Sequence, residues 1–337
     1  MQRLVQGTRL KQQGEVPFMA ADVGGTHARL ALAGRRPGHP DHVDLLQYRT
    51  YRCAEHRGLD EILADFLRCA DAPVRRAVIA SAGHSLPNGE VVSRNLPWPL
   101  PLPRLRAELG LQDLHLINDF AAVAHAAPRI ALEQSRRLAG PDRLPHGPIL
   151  VLGPGTGLGA ALVLPQDGRP RVLSSEAGQS ALTASTPLEL AVLGHLLREH
   201  GHVSREHALS GPGLRNLYRA LCALDDRVPE LDQPQQISSA GPDGRDPLAV
   251  RALELFCSLL GSTAADLALA FGAQGVYLAG GILPRIHPFL ASSRFADRFL
   301  DKGPMVAVLR DIPVRLVEHG QLGVLGAARW LLDQADA

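Results

Sequence analysis

The residues best suited to chemistry in this sequence lie in three glycine-rich turns. Gly153-Pro154-Gly155-Thr156-Gly157-Leu158-Gly159 spaces four glycines at alternate positions. Without Cβ atoms the backbone turns sharply and can approach a ligand closely. Successive exposed N–H groups then form a nest suited to phosphate. A plain glycine turn between two strands is the competing reading. Asp22-Val23-Gly24-Gly25-Thr26 repeats this logic with an acid added. A carboxylate at a strand end can hold a hydrated Mg²⁺ while Thr26 and the backbone bind phosphate. An Asp before Gly-Gly is, by itself, a turn residue. Together with the second hairpin and the strand-terminal pair Gly280-Gly281, it points to a nucleotide.

The flanking residues exclude two other phosphate-binding classes. Gly155, Gly157 and Ala160 fit G-x-G-x-x-G/A, a pattern that needs a helix next. Ala160 to Leu164 is instead a short apolar run leading to Asp167-Gly168, a hairpin turn, so a strand follows. No G-x-x-x-x-G-K-[ST] occurs, which removes the P-loop class.

The elements that must position these turns alternate between strand and helix, an α/β pattern. Phe18 to Val23 and Ala28 to Leu32 flank the first turn, and Ala77 to Ala80 is a buried strand. Leu59, Ile62, Leu63, Phe66 and Leu67 share one helical face. Leu114 to Ile117 is a strand ending on Asn118-Asp119, and a helix from Phe120 to about Ala126 stops before Pro128. Ile149 to Leu152 and Ala160 to Leu164 flank the second turn. Pro187 opens a helix; Leu248 to Phe271 is a helix preceding the strand Val276 to Ala279, and Val324 to Asp333 is the last helix. The Pro-rich stretch 96–103 reads as an irregular loop, and 229–247 as a mobile one. The two strand–Gly–strand units suggest a duplicated architecture.

Composition narrows the function classes. The chain has 337 residues, of which 45% are hydrophobic and 20% charged, an ordinary soluble balance. A net charge of +1 gives no electrostatic case for nucleic acid or an anionic membrane. Cys53, Cys69, Cys222 and Cys257 are scattered, so neither structural zinc nor disulfides are expected. Residues 1–17 read as a flexible extension without a signal-peptide core. No apolar run reaches the ~20 residues of a membrane span. The expectation is a cytoplasmic enzyme.

Asp22-Val-Gly-Gly-Thr26 resembles the phosphate-1 motif of the actin/hexokinase ATPase superfamily. Leu116-Ile-Asn-Asp119-Phe-Ala-Ala-Val-Ala, followed by Leu152-Gly-Pro-Gly-Thr-Gly-Leu-Gly159, is similar to the catalytic and phosphate-2 region of bacterial glucokinases. Leu209-Ser-Gly-Pro-Gly-Leu-Arg-Asn-Leu-Tyr218 and Val276-Tyr-Leu-Ala-Gly-Gly-Ile-Leu-Pro-Arg285 resemble later blocks of the same family. The blocks stand in the family's order over residues 18–335.

The resemblance implies a two-domain actin/hexokinase-like (ribonuclease H-like) α/β fold with a sugar cleft between domains. The small domain takes 18–128 plus 318–337 and the large one 129–317. It implies ATP-dependent phosphorylation of glucose at the 6-hydroxyl, with ATP and Mg²⁺ as cofactors, a hexose as substrate, and a homodimer. Carried over by motif, Asp119 is the base. Asn118 and Asp119, with Glu176, Gln179 and Glu206, contact the sugar, and Asn95 joins them from an N-x-x-W that includes Trp98. Gly24, Gly25, Thr26, Gly155, Thr156 and Gly157 contact phosphates, Asp22 holds Mg²⁺ through water, and Gly280 and Gly281 border the adenosine. Plainer readings stand beside these: Asn118-Asp119 as a helix cap, Glu206 as a surface glutamate, Trp98 as packing.

The sequence departs from the family pattern at a few positions. Gln179 stands where the family usually has His, Ser180-Ala181-Leu182 replaces Val-Asp-Phe, and His27 takes an Asn position. Gln donates and accepts but cannot become cationic. One imperfectly paired sugar hydroxyl costs on the order of 1–3 kcal/mol. Two alternatives therefore remain: a catalytically weakened sugar sensor of the same fold, and a kinase for a different hexose.

Overall fold

The run Phe18–Val23, apolar except for Asp22, is strand β1 and is buried at every position. Continuous burial marks a strand covered on both faces, and its alternate residues feed two cores. Met19, Ala21 and Val23 pack with Ile62, Leu63 and Phe66, whereas Phe18 and Ala20 pack with Ala122, Val324, Ala327 and Leu331. The computed structural model describes residues 16–85, 91–93, 98–166, 169–317 and 320–335. The chain divides into two units, one of residues up to Arg129 with those from Gly320 onward, the other Ile130–His319.

In the first unit, β1, β2 (His27–Arg36), β3 (His39–Arg52), β4 (Arg76–Ser81) and β7 (Asp113–Asn118) form a sheet in the order β3-β2-β1-β4-β7. The short strands β5 (Gly83–Ser85) and β6 (Val91–Ser93) pair separately. Helix α1 (Leu59–Arg68) buries Leu59, Ile62, Leu63 and Phe66, the face expected from their spacing. Helix α2 (Leu102–Glu108) begins inside the Pro-rich stretch, with Pro103 in its first turn where proline is tolerated, and α3 (Asp119–Ala126) follows β7 directly.

The second unit holds β8 (Ser135–Ala139), β9 (Ile149–Pro154), β10 (Leu158–Leu164), β11 (Arg171–Ser175), β12 (Gly275–Leu278) and β13 (Val314–Val317), ordered β11-β10-β9-β12-β13-β8. Its core is built by α4 (Pro187–Glu199), α5 (Gly211–Leu224), α6 (Pro234–Ala240), α7 (Pro247–Phe271) and the short α8 (His287–Ser292), α9 (Phe295–Leu300) and α10 (Val306–Leu309). Helix α11 (Leu322–Ala335) belongs to the first unit.

The duplication suggested by the two glycine turns is visible in the pairing. β1-β2-β3 and β9-β10-β11 are each antiparallel, and each sheet continues through two parallel strands, β4-β7 and β12-β13. Residues 229–247 are not wholly loop: Pro234 opens α6, which buries Ile237. The expected turn at Asp167-Gly168 lies outside the described residues. Helix α7 is long and apolar enough by composition to cross a membrane, yet most of that stretch is buried in its unit, as in a core helix. All four cysteines are free thiols.

Candidate active site

In the first unit the parallel strands β1, β4 and β7 end together. Val23 stands level with Ser81, and Ser81 with Asn118. The β1–β2 turn and the β7–α3 junction therefore open on one carboxyl edge, where α/β sheets commonly bind ligands. Gly24 N–H donates to the His27 carbonyl at 3.0 Å and closes the turn. Cys53 holds it from outside: its N–H donates to the Thr26 carbonyl at 2.9 Å and its thiol to the Gly24 carbonyl at 3.3 Å. Gly25 and Thr26 are exposed at the tip.

Asp22 is only 9% exposed and pairs with Arg29, Nη1 to Oδ2 at 3.3 Å. Burial pushes its carboxyl above the ordinary range, and Arg29 partly offsets that. A Cβ on Gly323, near the start of α11, would stand 2.6 Å from the Asp22 carboxyl carbon.

Asn118 starts α3. Its Oδ1 accepts the N–H groups of Phe120 and Ala121, each at 3.0 Å, which satisfies two donors that a helix start leaves open. The cap reading is thus correct, and it consumes only the oxygen; Nδ2 has no protein partner among the described residues. Asp119 lies in the first turn, its Oδ1 also accepting Phe120 N–H at 2.8 Å. A carboxylate there lies in the favourable field of the helix N-terminus. Level with Asn118, Ser81 is fully buried and its Oγ has no hydrogen-bond partner among the described residues.

In the second unit the β9–β10 turn takes the equivalent place, and a strand follows the glycines as expected. Gly155 N–H donates to the Gly157 carbonyl at 2.7 Å, and the Gly155 carbonyl accepts Gly211 N–H at 2.8 Å; Thr156 is exposed at the tip. Gly280, with φ +155°, packs on the Pro154 carbonyl too closely for any Cβ, whereas Gly281 faces open space. Glu206 lies in the 3-10 turn Arg205–His207. Its Oε2 accepts Leu158 N–H at 2.8 Å and fills the space a Gly157 side chain would need. Glu206 is therefore not a plain surface glutamate. Glu176 precedes the 3-10 turn Ala177–Gln179, whose Gly178 packs on the Leu158 carbonyl. The Gln179 residue is exposed, and its backbone carbonyl meets His202 Nε2 at 2.9 Å.

The first unit thus gathers Asp22, Gly24, Gly25, Thr26, Asn118 and Asp119 on one edge. The second gathers Gly155, Thr156, Gly157, Glu176, Gln179, Glu206, Gly280 and Gly281 around its own glycine turn. Asn95 lies outside the described residues. Trp98 packs against the core on the α1 side. Sequence reasoning missed Arg29, Cys53 and Ser81. Arg29 had a signal, since it stands directly opposite Asp22 across the hairpin; Cys53 had none, its partners lying distant in sequence.

No group of three or more His, Cys, Asp or Glu among the described residues could hold a metal unaided. Asp22 is a single carboxylate already carrying Arg29. That donor set fits a Mg²⁺ that arrives on nucleotide phosphates and keeps its waters.

Comparison with known proteins shows the family. The family model described as Glucokinase matches residues 19–334. A glucokinase-like protein of Xylella fastidiosa (strain 9a5c) is 52% identical over 318 residues, covering 94% of this chain and 95% of the relative. The glucokinase of Nitrobacter hamburgensis is 40% identical over 314 residues, 93% of this chain and 96% of its own. The crystal structure of a glucokinase from an Antarctic psychrotroph superposes with a TM-score of 0.82 at 36% identity, over 95% of this chain and 99% of that one. With a family match along nearly its whole length and a shared actin/hexokinase-like fold, this chain belongs to the glucokinase family and is a sugar kinase.

Proposed function

We propose that the chain transfers the terminal phosphoryl group of ATP to the 6-hydroxyl of glucose, with Asp119 as the base. The observation that carries this is the β7–α3 junction. Asn118 caps the helix with its oxygen and keeps its amide nitrogen for a sugar oxygen, while the next residue holds a carboxylate at the sheet's carboxyl edge. Phosphoryl transfer needs chiefly an oriented nucleophile and neutralised charge. The Asp119 carboxylate orients the hydroxyl and takes its proton as the sugar oxygen bonds to phosphorus and the bond to ADP breaks.

Asn95, Asn118, Glu176, Gln179 and Glu206 hold the sugar, each carboxylate able to accept from two hydroxyls. N–H groups of Gly25 and Thr26, and of Thr156 and Gly157, hold phosphates, while the N–H groups of Gly24 and Gly155 close the two turns, and Gly280 and Gly281 stand beside the adenosine. Mg²⁺ bound with the nucleotide, contacted by Asp22 through water, supplies neutralising charge.

The test is a coupled ADP-release assay with ATP and a panel of hexoses. Glucose-dependent turnover is expected, with Asp119→Ala lowering kcat by about 10²–10⁴ while the fold is kept. Full activity in Asp119→Ala sinks the base assignment; sugar binding without ADP release would favour the sensor. The Gln179 position favours one second reading, a kinase for a different hexose, and the same panel reveals it.

A further inference from the structure

The 3-10 turn Arg205–His207 is bonded to two parts of its unit that the proposed function treats separately. One is the segment around Gln179: Arg205 N–H donates to the Ser180 carbonyl and its guanidinium to Ser180 Oγ, both at 2.9 Å. Ala181 and Ser204 pair beside it as an isolated bridge. The other is the glycine turn, where Glu206 Oε2 accepts Leu158 N–H at 2.8 Å. The residues after it grip the same turn, since Gly211 N–H donates to the Gly155 carbonyl at 2.8 Å. The 3-10 turn itself is fixed: His207 Nδ1 accepts Ser204 N–H at 3.0 Å and Ser210 Oγ donates to the Glu206 carbonyl at 2.8 Å.

We propose that Glu206 is a positioning residue that couples sugar occupancy to the phosphate-binding glycine turn, with one carboxylate oxygen on the sugar and the other on Leu158 N–H. The proposal rests on the sugar-kinase reading above. Oε2 is committed to the turn, which leaves Oε1 for a sugar hydroxyl. A carboxylate held at both oxygens loses the rotational freedom it keeps when only one is bonded. Sugar binding therefore narrows the positions open to Gly157 and Leu158, and the turn meets a phosphate already arranged. By linkage the nucleotide tightens sugar binding by the same factor. Gly157 has to lack a side chain for the same reason, because Oε2 occupies that space.

Calorimetric binding of AMPPNP with Mg²⁺, with and without saturating glucose, tests the coupling. In the unmodified protein glucose is expected to lower the AMPPNP Kd by about 5- to 150-fold, the usual range of such couplings. Glu206→Ala is expected to bring that ratio close to one and to raise the sugar-free Kd. Gly157→Ala, which displaces Oε2 while leaving the Glu206 carboxylate intact, is expected to lower the ratio as well. If Glu206→Ala does not fold by circular dichroism, Gly157→Ala decides alone. A ratio unchanged by the substitutions overturns the coupling, as does a ratio of one in an unmodified protein that phosphorylates its sugar. An unmodified protein that phosphorylates no hexose overturns the parent reading instead.

Discussion

Gly326 of α11 lies against the carbonyl of Ala122 in α3, leaving no room for a side chain. Ala122 is one turn past Asp119, so this contact sets the position of the helix that carries the carboxylate. Gly326→Ala forces a methyl into backbone, and such overpacking costs about 1–3 kcal/mol. Each kcal/mol lowers the melting temperature by roughly 2–4 °C in domains of 150–250 residues. Calorimetry should show the drop, and steady-state kinetics a fall in kcat larger than any change in sugar KM.

The two jobs assigned to Asn118 can be separated. Serine caps a helix about as well as asparagine but has no amide nitrogen. Asn118→Ser should leave stability near that of the unmodified protein and raise the sugar KM. Asn118→Ala should raise KM and also cost about 1 kcal/mol of stability. Urea unfolding beside kinetics distinguishes them; equal KM in all three proteins would remove Asn118 from the sugar site.

Arg298 and Glu189 form an ion pair buried on both sides, Nη2 to Oε1 at 3.0 Å and to Oε2 at 3.2 Å. Ser185 N–H also donates to Glu189 Oε2, at 2.7 Å. Arg298 also pairs with Asp301 at 2.7 Å, so it is removal of Arg298 that leaves a buried charge, Glu189, without its counter-ion, which costs about 3–5 kcal/mol. Arg298→Met should destabilise the chain by that order, and Arg298→Met with Glu189→Leu by less. Denaturant unfolding of the two variants checks the order.

His125 is buried in α3, 3.8 Å from Asp333 and near Arg129 and Arg329. Burial is the main cause holding its pKa down at about 4, against 6.5 for a free imidazole. Between those values the unfolded chain binds a proton that the folded one does not, so stability rises with pH across this window and is lost as pH falls from about 6.5 to about 4. At 1.36 kcal/mol per pH unit the whole shift is worth about 3 kcal/mol, about 2 of it between pH 7 and pH 5. His125→Gln should flatten this part of the profile in unfolding measured at the two pH values.

What could be read in advance was local. Short apolar runs bounded by glycines declared β1, β9 and their turns, and the spacing of Leu59, Ile62, Leu63 and Phe66 declared α1. The rest depends on distant partners. Strand β3 extends over His39–Arg52 with mixed polarity because it edges the sheet, pairing among the described residues with β2 alone, so no periodic signal covers its length. α6 buries Ile237 in a stretch otherwise rich in turn residues. At the site, Glu206 was assigned to the sugar by motif, but its bond to Leu158 spans 48 residues and leaves no trace in either segment. Cys53 and Ser81 show the same limit, since their surroundings are assembled by the sheet rather than by neighbours in sequence.

Helix α11 completes the core formed by Phe18, Ala20, Val78, Ala80 and Ala122. On a translating ribosome, residues 130–319 are made before those from 320 onward. The first unit must meanwhile wait with one sheet face open, because a domain made from two separated stretches closes only after the intervening one is synthesised. Asp119 sits on that waiting half, and its supporting helix is made only after the second unit. The interval in between is when a chaperone would find apolar surface to hold.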